Sequence, residues 1–95
     1  MPPPREADVS EEKTLVAQVK DRILLGQSFH DQVDFGAGFA QLLADVLYKE
    51  GFKNDRAMSQ CTKATREYHL VKKQIKVEII TAYFLGVYTS ITVRA

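Results

Sequence analysis

The sequence predicts an α+β fold in which two to three N-terminal helices pack on a small antiparallel sheet formed by the C-terminal strands. Two observations carry this prediction. Apolar residues recur at helical spacing through the first half of the chain, whereas β-branched residues that partly alternate with polar ones fill residues 75–95. No charged residue lies between Ile79 and Val93. Because both faces of part of this stretch are apolar, we expect a second chain to complete the sheet.

Composition indicates one globular domain. The 95 residues include 45% hydrophobic and 26% charged residues, which are typical of a folded chain. Residues 1–9 contain three prolines before an acidic run and predict a flexible tail, so residues 10–95 form the predicted single domain. The lone cysteine, Cys61, excludes an internal disulfide, and the first residues lack the apolar core of a signal peptide. We therefore expect an intracellular, cytoplasmic protein.

Charge is distributed unevenly, although the net charge is only +1. Residues 1–50 carry five Lys and Arg against nine Asp and Glu, a net of −4, and residues 51–95 carry eight against three, a net of +5. One interpretation is that acidic and basic faces complement each other within one fold or between copies. The other is a basic binding surface in the second half.

The first helical pattern predicts a helix over roughly residues 10–25. Asp8 and Ser10 are suitable N-caps. An apolar stripe with intervals of four follows, and Gly26 supplies a stop. The members of the stripe are Leu15, Val19 and Ile23.

The second helical pattern is the clearest in the chain. Asp31 or Asp34 is a candidate cap at its start, and Gly51 followed by Phe52 predicts a Schellman ending. One face carries the apolar residues Phe35, Phe39, Leu42, Leu43, Val46 and Leu47.

A third helix is predicted from about residue 56 to residue 70. Asp55 is a candidate cap. The stripe that supports the helix is only mildly apolar and consists of Ala57, Cys61, Ala64, Tyr68 and Val71.

Two strands are predicted at the C-terminal end, on either side of Gly86. Before the glycine, Ile75, Val77 and Ile79 alternate with charged residues. After it, apolar residues and threonine alternate with polar ones from residue 87 to residue 94. Because glycine within a strand pattern marks a bend, a bulge or a turn, we place the boundary between the two strands there.

Parts of this pattern resemble the small dynein light chains. The segment Ala82-Tyr83-Phe84-Leu85-Gly86 leads into an alternating strand that ends Ile91-Thr92-Val93-Arg94, as in that family, and residues 7–12 are similar to the family's helix start. The family's Trp-His and Phe-Gly pairs have no counterpart between Asn54 and Gln74. The resemblance implies a homodimer that captures short peptides as an added strand of its sheet.

The sequence therefore predicts a non-enzymatic protein-interaction module. Because we find no catalytic, cofactor-binding or metal-binding motif, we expect no cofactor. We expect a homodimer, or a small subunit or adaptor of a larger assembly, that binds through its C-terminal strands. The predicted interface residues are Ile75, Val77, Ile79, Tyr83, Leu85, Val87, Tyr88, Ile91 and Val93.

Two alternatives use other features of the second half. A nucleic-acid-binding protein would use the basic region 63–76, where lysine and arginine contact phosphates and tyrosine stacks on bases. Its candidate residues are Lys63, Arg66, Tyr68, Lys72, Lys73 and Lys76. A small membrane-anchored subunit would insert the apolar C-terminal segment, whose uncharged window of 15 residues is short for the roughly 20 that a spanning helix needs.

Overall fold

The computed structural model describes residues 4–55, 60–61, 65–83 and 87–95. These residues form two helices and six strands. In chain order the elements are α1 (Pro4–Leu24), β1 (Phe29–Val33), α2 (Ala37–Lys49), β2 (Lys53–Asn54), β3 (Gln60–Cys61), β4 (Thr65–Lys72), β5 (Ile75–Ala82) and β6 (Tyr88–Arg94).

The strands form one antiparallel sheet in the order β1-β6-β5-β4-β2, and β3 pairs beside β2 on the outer side of β4. The helices pack on one face of this sheet, which confirms the predicted α+β class. Two helices are present among the described residues, the lower of the two predicted numbers. The sheet extends beyond the C-terminal strands because β1, from between the helices, pairs with β6.

The core lies between the helices and one face of the sheet. Val16, Val19 and Ile23 of α1 pack with the apolar stripe of α2. Beneath them lie alternate residues of the three central strands, Leu70, Val77, Ile79, Ile91 and Val93, all almost fully buried. The other face of the sheet carries the alternate set of side chains, and neither described helix packs on it. We call it the open face.

The predicted start of the first helix is wrong. Helix α1 begins at Pro4, so Asp8 and Ser10 lie within it and do not cap it. Proline is well suited to a helix start because its fixed φ matches the helix and its missing N–H has no helical partner there. The predicted stop is confirmed, since the chain turns at Gly26 with a φ of 78° and the Gly26 N–H donates to the carbonyl oxygen of Ile23.

The second helix differs from prediction at its start and agrees at its end. Neither Asp31 nor Asp34 caps α2, because Asp31 lies in β1 and the N-cap residue is Gly36, which offers no side-chain hydrogen bond. At the other end, the Phe52 N–H donates to the carbonyl of Leu47 at 3.0 Å and Gly51 has a φ of 99°. These features confirm the Schellman ending.

The helix predicted over residues 56–70 is wrong wherever the structure describes it. Strand β4 replaces it and pairs with β5 along all eight residues. Ala57 and Ala64 of the predicted stripe lie outside the described residues. Pairing with the next strand in the chain decides this segment, because β-branched and aromatic residues such as Tyr68 and Val71 fit a pleated sheet better than a mildly apolar helix face.

The two predicted C-terminal strands correspond to β5 and β6, and Gly86, the predicted bend, lies outside the described residues. Among the residues that the structure covers, no helix has both the length and the apolar character needed to cross a membrane.

Candidate functional site: the outer edge of β1

The predicted interface residues separate into a buried and an exposed group. Val77, Ile79, Ile91 and Val93 are at most 1% exposed, because the chain's own helices cover them. Ile75 is partly buried against the same core. The residues that reach the surface are Tyr83, Val87 and Tyr88, and Leu85 lies outside the described part of the chain. Most of the predicted interface residues therefore lie in the core of this fold.

Both C-terminal strands are also interior strands. β5 lies between β4 and β6, and β6 lies between β5 and β1. Their backbone N–H and C=O groups therefore face neighbouring strands of the same chain. A partner that adds a strand to this sheet has to use another strand.

The predicted nucleic-acid-binding residues are divided between the two faces of the sheet. Arg66 and Lys72 lie opposite Thr81 and Ile75, on the helix-covered face, where the Lys72 ammonium donates to the carbonyl oxygen of Glu50. Lys76 belongs to the open face. Arg66 lies 5.8 Å from the ring centroid of Tyr68, Lys73 occupies the β4–β5 turn, and Lys63 lies outside the described residues. The described members of this set, Arg66, Lys72, Lys73 and Lys76, therefore do not share one face of the sheet.

The open face carries a hollow of about 280 Å³ with charges of both signs. Lys76 and Arg94 are directly opposite each other across β5 and β6. The remaining polar lining consists of Asp55, His69, Glu78 and Thr92. Because cations and carboxylates are equal in number here, the hollow has no strong preference for an anion. No group of three or more metal-ligating side chains is found among the described residues.

The sheet has two outer sides that differ in length. On the β4 side, β2 and β3 contribute only two residues each. On the other side, β1 runs for five residues and pairs with β6 alone within the described part of the chain. An antiparallel edge strand directs alternate N–H and C=O groups outward, where an additional strand can bond to them. The β1 edge is therefore the longer of the two sites for strand addition.

Helix α1 runs alongside β1 in the opposite direction. Near the end of the helix, the Arg22 guanidinium lies 4.1 Å from the ring centroid of Phe29 and 3.6 Å from the Asp31 carboxylate. Nearer its beginning, Leu15 lines a hollow together with Phe35, which follows β1 in the chain. The same side of α1 carries Glu11, Leu15, Gln18 and Arg22, which recur at intervals of three and four, and Leu25 follows the end of the helix.

We call the space between this side of α1 and β1 the α1–β1 groove, and its hollow end lies between α1 and Phe35, the second residue after β1. Its hollow end measures about 330 Å³ and is lined by Glu11, Thr14, Leu15, Gln18 and Phe35. The Phe35 ring stacks on Phe39 with 5.5 Å between centroids, so the core holds this wall in place. At the other end Leu25 is 72% exposed, the highest value among the large apolar residues that the structure describes.

Asp31 connects the edge strand to both the helix and its own backbone. One carboxylate oxygen accepts a hydrogen bond from the Gln32 N–H at 2.9 Å, and the other lies 3.6 Å from Arg22. On the open face, the imidazole of His30 is hydrogen-bonded to the Thr92 hydroxyl at 2.9 Å. These contacts hold β1 against the domain while leaving its outer side without a strand among the described residues.

Sequence analysis missed this site because β1 gives a weak pattern. Phe29, Asp31 and Val33 alternate with His30 and Gln32, but the central residue of the inward set is charged. From the sequence alone, Asp31 or Asp34 is therefore a candidate cap of the second helix. The signal that could have revealed the strand is the period-two placement of Phe29 and Val33 on either side of Asp31.

With this geometry, the described part of the chain is an α+β unit in which helices cover one face of the sheet, the other face is open, and the longer free edge is that of β1. Comparison with protein-family models, curated proteins and solved structures finds no match to the chain.

Proposed function

We propose that this protein is a non-enzymatic interaction module that binds an extended segment of a protein partner along the outer edge of β1. The partner segment adds a strand to the sheet, and its backbone supplies most of the hydrogen bonds. The observation that carries the proposal is the five-residue edge of β1, which has no neighbouring strand on its outer side in the described chain.

The α1–β1 groove adds a reason for strand addition. A strand placed outside β1 would direct alternate side chains toward α1, because side chains of neighbouring strands share faces in register. Those side chains would meet a hollow with an apolar floor at one end and exposed Leu25 at the other. Backbone pairing would supply affinity, and the groove would supply selectivity among partners.

Charge favours a different protein over a second copy at this edge. Two β1 strands related by a two-fold axis overlap along all five residues only when Asp31 lies opposite Asp31. Directly opposed like charges destabilise a strand pair. The groove also brings the acidic residues Glu11 and Asp34 of each copy to the new interface.

The sequence resemblance to small dynein light chains is consistent with the same mode of action, since capture of a peptide as an added strand is what that resemblance implies. From the sequence we expected the C-terminal strands to receive the peptide. We propose β1 because β5 and β6 have strands of this chain on both sides.

The test uses the full chain and random ten-residue peptides selected by display for binding to it. Backbone amide exchange then maps each selected peptide on the protein. We expect slower exchange at the β1 amides, His30 and Gln32 among them. In the free chain the Gln32 N–H donates to the Asp31 carboxylate, so a partner carbonyl has to replace that acceptor. The variant Gln32→Pro removes this N–H and should weaken binding at least tenfold, and Gln32→Thr, which keeps it, serves as the matched control.

Two outcomes would overturn the proposal. Peptides that protect other parts of the chain and leave β1 unchanged would place the binding site elsewhere. A dimer, measured by light scattering, that dissociates only in Gln32→Pro would identify a second copy as the occupant of this edge. The exchange map of the unmodified chain decides the first question even if the proline variant folds poorly.

A further inference from the structure

The geometry points to a specific kind of partner segment: one that inserts a large apolar side chain into the hollow between α1 and Phe35 and carries a basic residue beside it. This inference rests on the proposed function and deepens it, because it names the chemistry that the α1–β1 groove selects. Three observations carry it, namely the position of the hollow, its lining and its charge.

The hollow lies near the C-terminal end of β1, because Phe35, which lines it, follows Val33 by two positions. Val33 is the last residue of β1 and belongs to the set that faces the helices, opposite the buried Thr89. A partner residue next to Val33 on the same face would point toward α1 near Leu15 and Phe35, which line the hollow. The next partner side chains on that face lie two residues away, about 7 Å along the strand.

The lining suits one large apolar side chain with a polar surround. Leu15 and Phe35 are partly buried against the core and form an apolar floor. Glu11, Thr14 and Gln18 of α1 form the rest of the wall. A volume of about 330 Å³ is ample for an aromatic or long aliphatic side chain. Burial of such a side chain supplies the apolar contact that backbone pairing alone lacks.

The charge around the hollow selects a basic neighbour. Among the described lining residues Glu11 carries the charge, and exposed Asp34 precedes Phe35 in the chain. Arg22, a cation on the same side of α1, already lies over Phe29 and beside Asp31. A lysine or arginine two residues from the apolar anchor would therefore meet carboxylates, with no cation among the described residues that line the hollow.

Four capped peptides separate these features. The parent is Thr-Lys-Thr-Phe-Thr-Lys-Thr, in which lysines on both sides of phenylalanine make the result independent of strand direction. The others replace Phe by Ala, both Lys by Glu, or all three. Fluorescence anisotropy with the full chain should give the tightest binding for the parent. We expect at least a tenfold loss of affinity when Phe alone is replaced by Ala, and the same when both Lys are replaced by Glu.

Matched protein variants locate the anchor. Gln18→Trp places a large side chain in the hollow and should reduce parent binding to the level of the Ala peptide. Gln41→Trp makes the same change at an exposed position of α2 outside the hollow and should leave binding unchanged. Glu11→Gln should reduce the difference in affinity between the parent peptide and the peptide in which both lysines are replaced by glutamate.

The failures of the two proposals are distinguishable. Equal affinity for all four peptides, with slower exchange at β1, would overturn the inference and leave strand addition standing. Unchanged parent binding in Gln18→Trp would overturn it as well. Display peptides that protect β1 but lack an apolar and basic pair would also refute it. Display peptides that never protect β1 would refute strand addition itself, and the inference with it.

Discussion

The guanidinium carbon of Arg22 lies 4.1 Å from the centroid of the Phe29 ring, joining the last turn of α1 to the first residue of the edge strand β1. The same guanidinium lies 3.6 Å from Asp31, and both side chains of this ion pair are about half exposed. An exposed ion pair contributes little in water, whereas a cation above an aromatic ring contributes about 0.5–1 kcal/mol. The ring contact is therefore the larger part of this link.

Arg22→Gln should lower the free energy of unfolding by about 1 kcal/mol, because it removes both the ring contact and the ion pair. The β1 amides should exchange faster, since the link to α1 is what the substitution breaks. Chemical denaturation and amide exchange measure the two effects. Arg94→Gln, at an exposed position of β6, is the control. Equal losses in both variants would contradict the prediction.

Thr89→Val should destabilise the protein more than Thr81→Val does. The two hydroxyl oxygens are buried and 2.9 Å apart, and the Thr89 hydroxyl also donates to the carbonyl oxygen of Phe35 at 2.7 Å. Because Thr89 has one proton, Thr81 is the donor between them. Valine at position 89 leaves both the carbonyl and the Thr81 hydroxyl unpaired, which costs about 1–3 kcal/mol. Thermal unfolding of both variants checks the order.

Gly36→Ala should destabilise the fold, and Val87→Ala should relieve that effect. A Cβ atom on Gly36 would lie 2.6 Å from Cγ1 of Val87, although the Gly36 φ of −97° suits any residue. The cost is therefore a collision, for which we expect about 1–3 kcal/mol. A double-mutant cycle by denaturant titration measures the coupling. Val87 is 53% exposed, so its side chain has some room to move. Additive losses would mean that it moves aside freely, and they would contradict the predicted coupling.

Tyr48 should make stability fall with pH in the alkaline range. Desolvation by burial raises the pKa of its hydroxyl, which donates a hydrogen bond to the side-chain oxygen of Asn54. The folded state therefore holds the proton to higher pH than the unfolded state does. This contribution is complete below the unfolded pKa of about 10 and is lost as pH rises through the folded value.

The difference in unfolding free energy between the wild type and Tyr48→Phe, measured from pH 8 to pH 11, isolates this contribution. It should be constant at first and should decline for the wild type above about pH 10. A constant difference across the range would contradict the assignment to Tyr48.

Local patterns predicted the elements whose signals are strongest, namely α2, β5 and β6. The apolar stripe of α2 and its Gly51–Phe52 ending are evident in the sequence, since helix periodicity and a glycine with positive φ depend on nearby residues. The strands β5 and β6 are evident because strand alternation also depends on nearby residues. Of the predicted interface residues, Val77 and Ile91 lie beneath this chain's own helices.

The remaining elements depend on strand pairing that the local pattern does not show. β4 has a weak helical pattern, yet it pairs along its full length with β5, the next strand in the chain, and β1 is a strand because β6 pairs with it across some sixty residues. Strand pairing outweighs a local preference of a few tenths of a kcal/mol per residue. The candidate groove shares this origin, since it needs α1 and β1 side by side.

The sequence by itself determined that this chain must keep its C-terminal segment from water, and it favoured a sheet over a membrane helix, because the run from Ile79 to Val93 is uncharged, rich in β-branched residues and short for a bilayer. Only the tertiary structure decided what buries that segment. The helices cover one face of β5 and β6, and β4 and β1 occupy their edges. Among the described residues the longer free edge lies at β1, because β5 and β6 are paired on both sides and no described strand pairs with the outer side of β1.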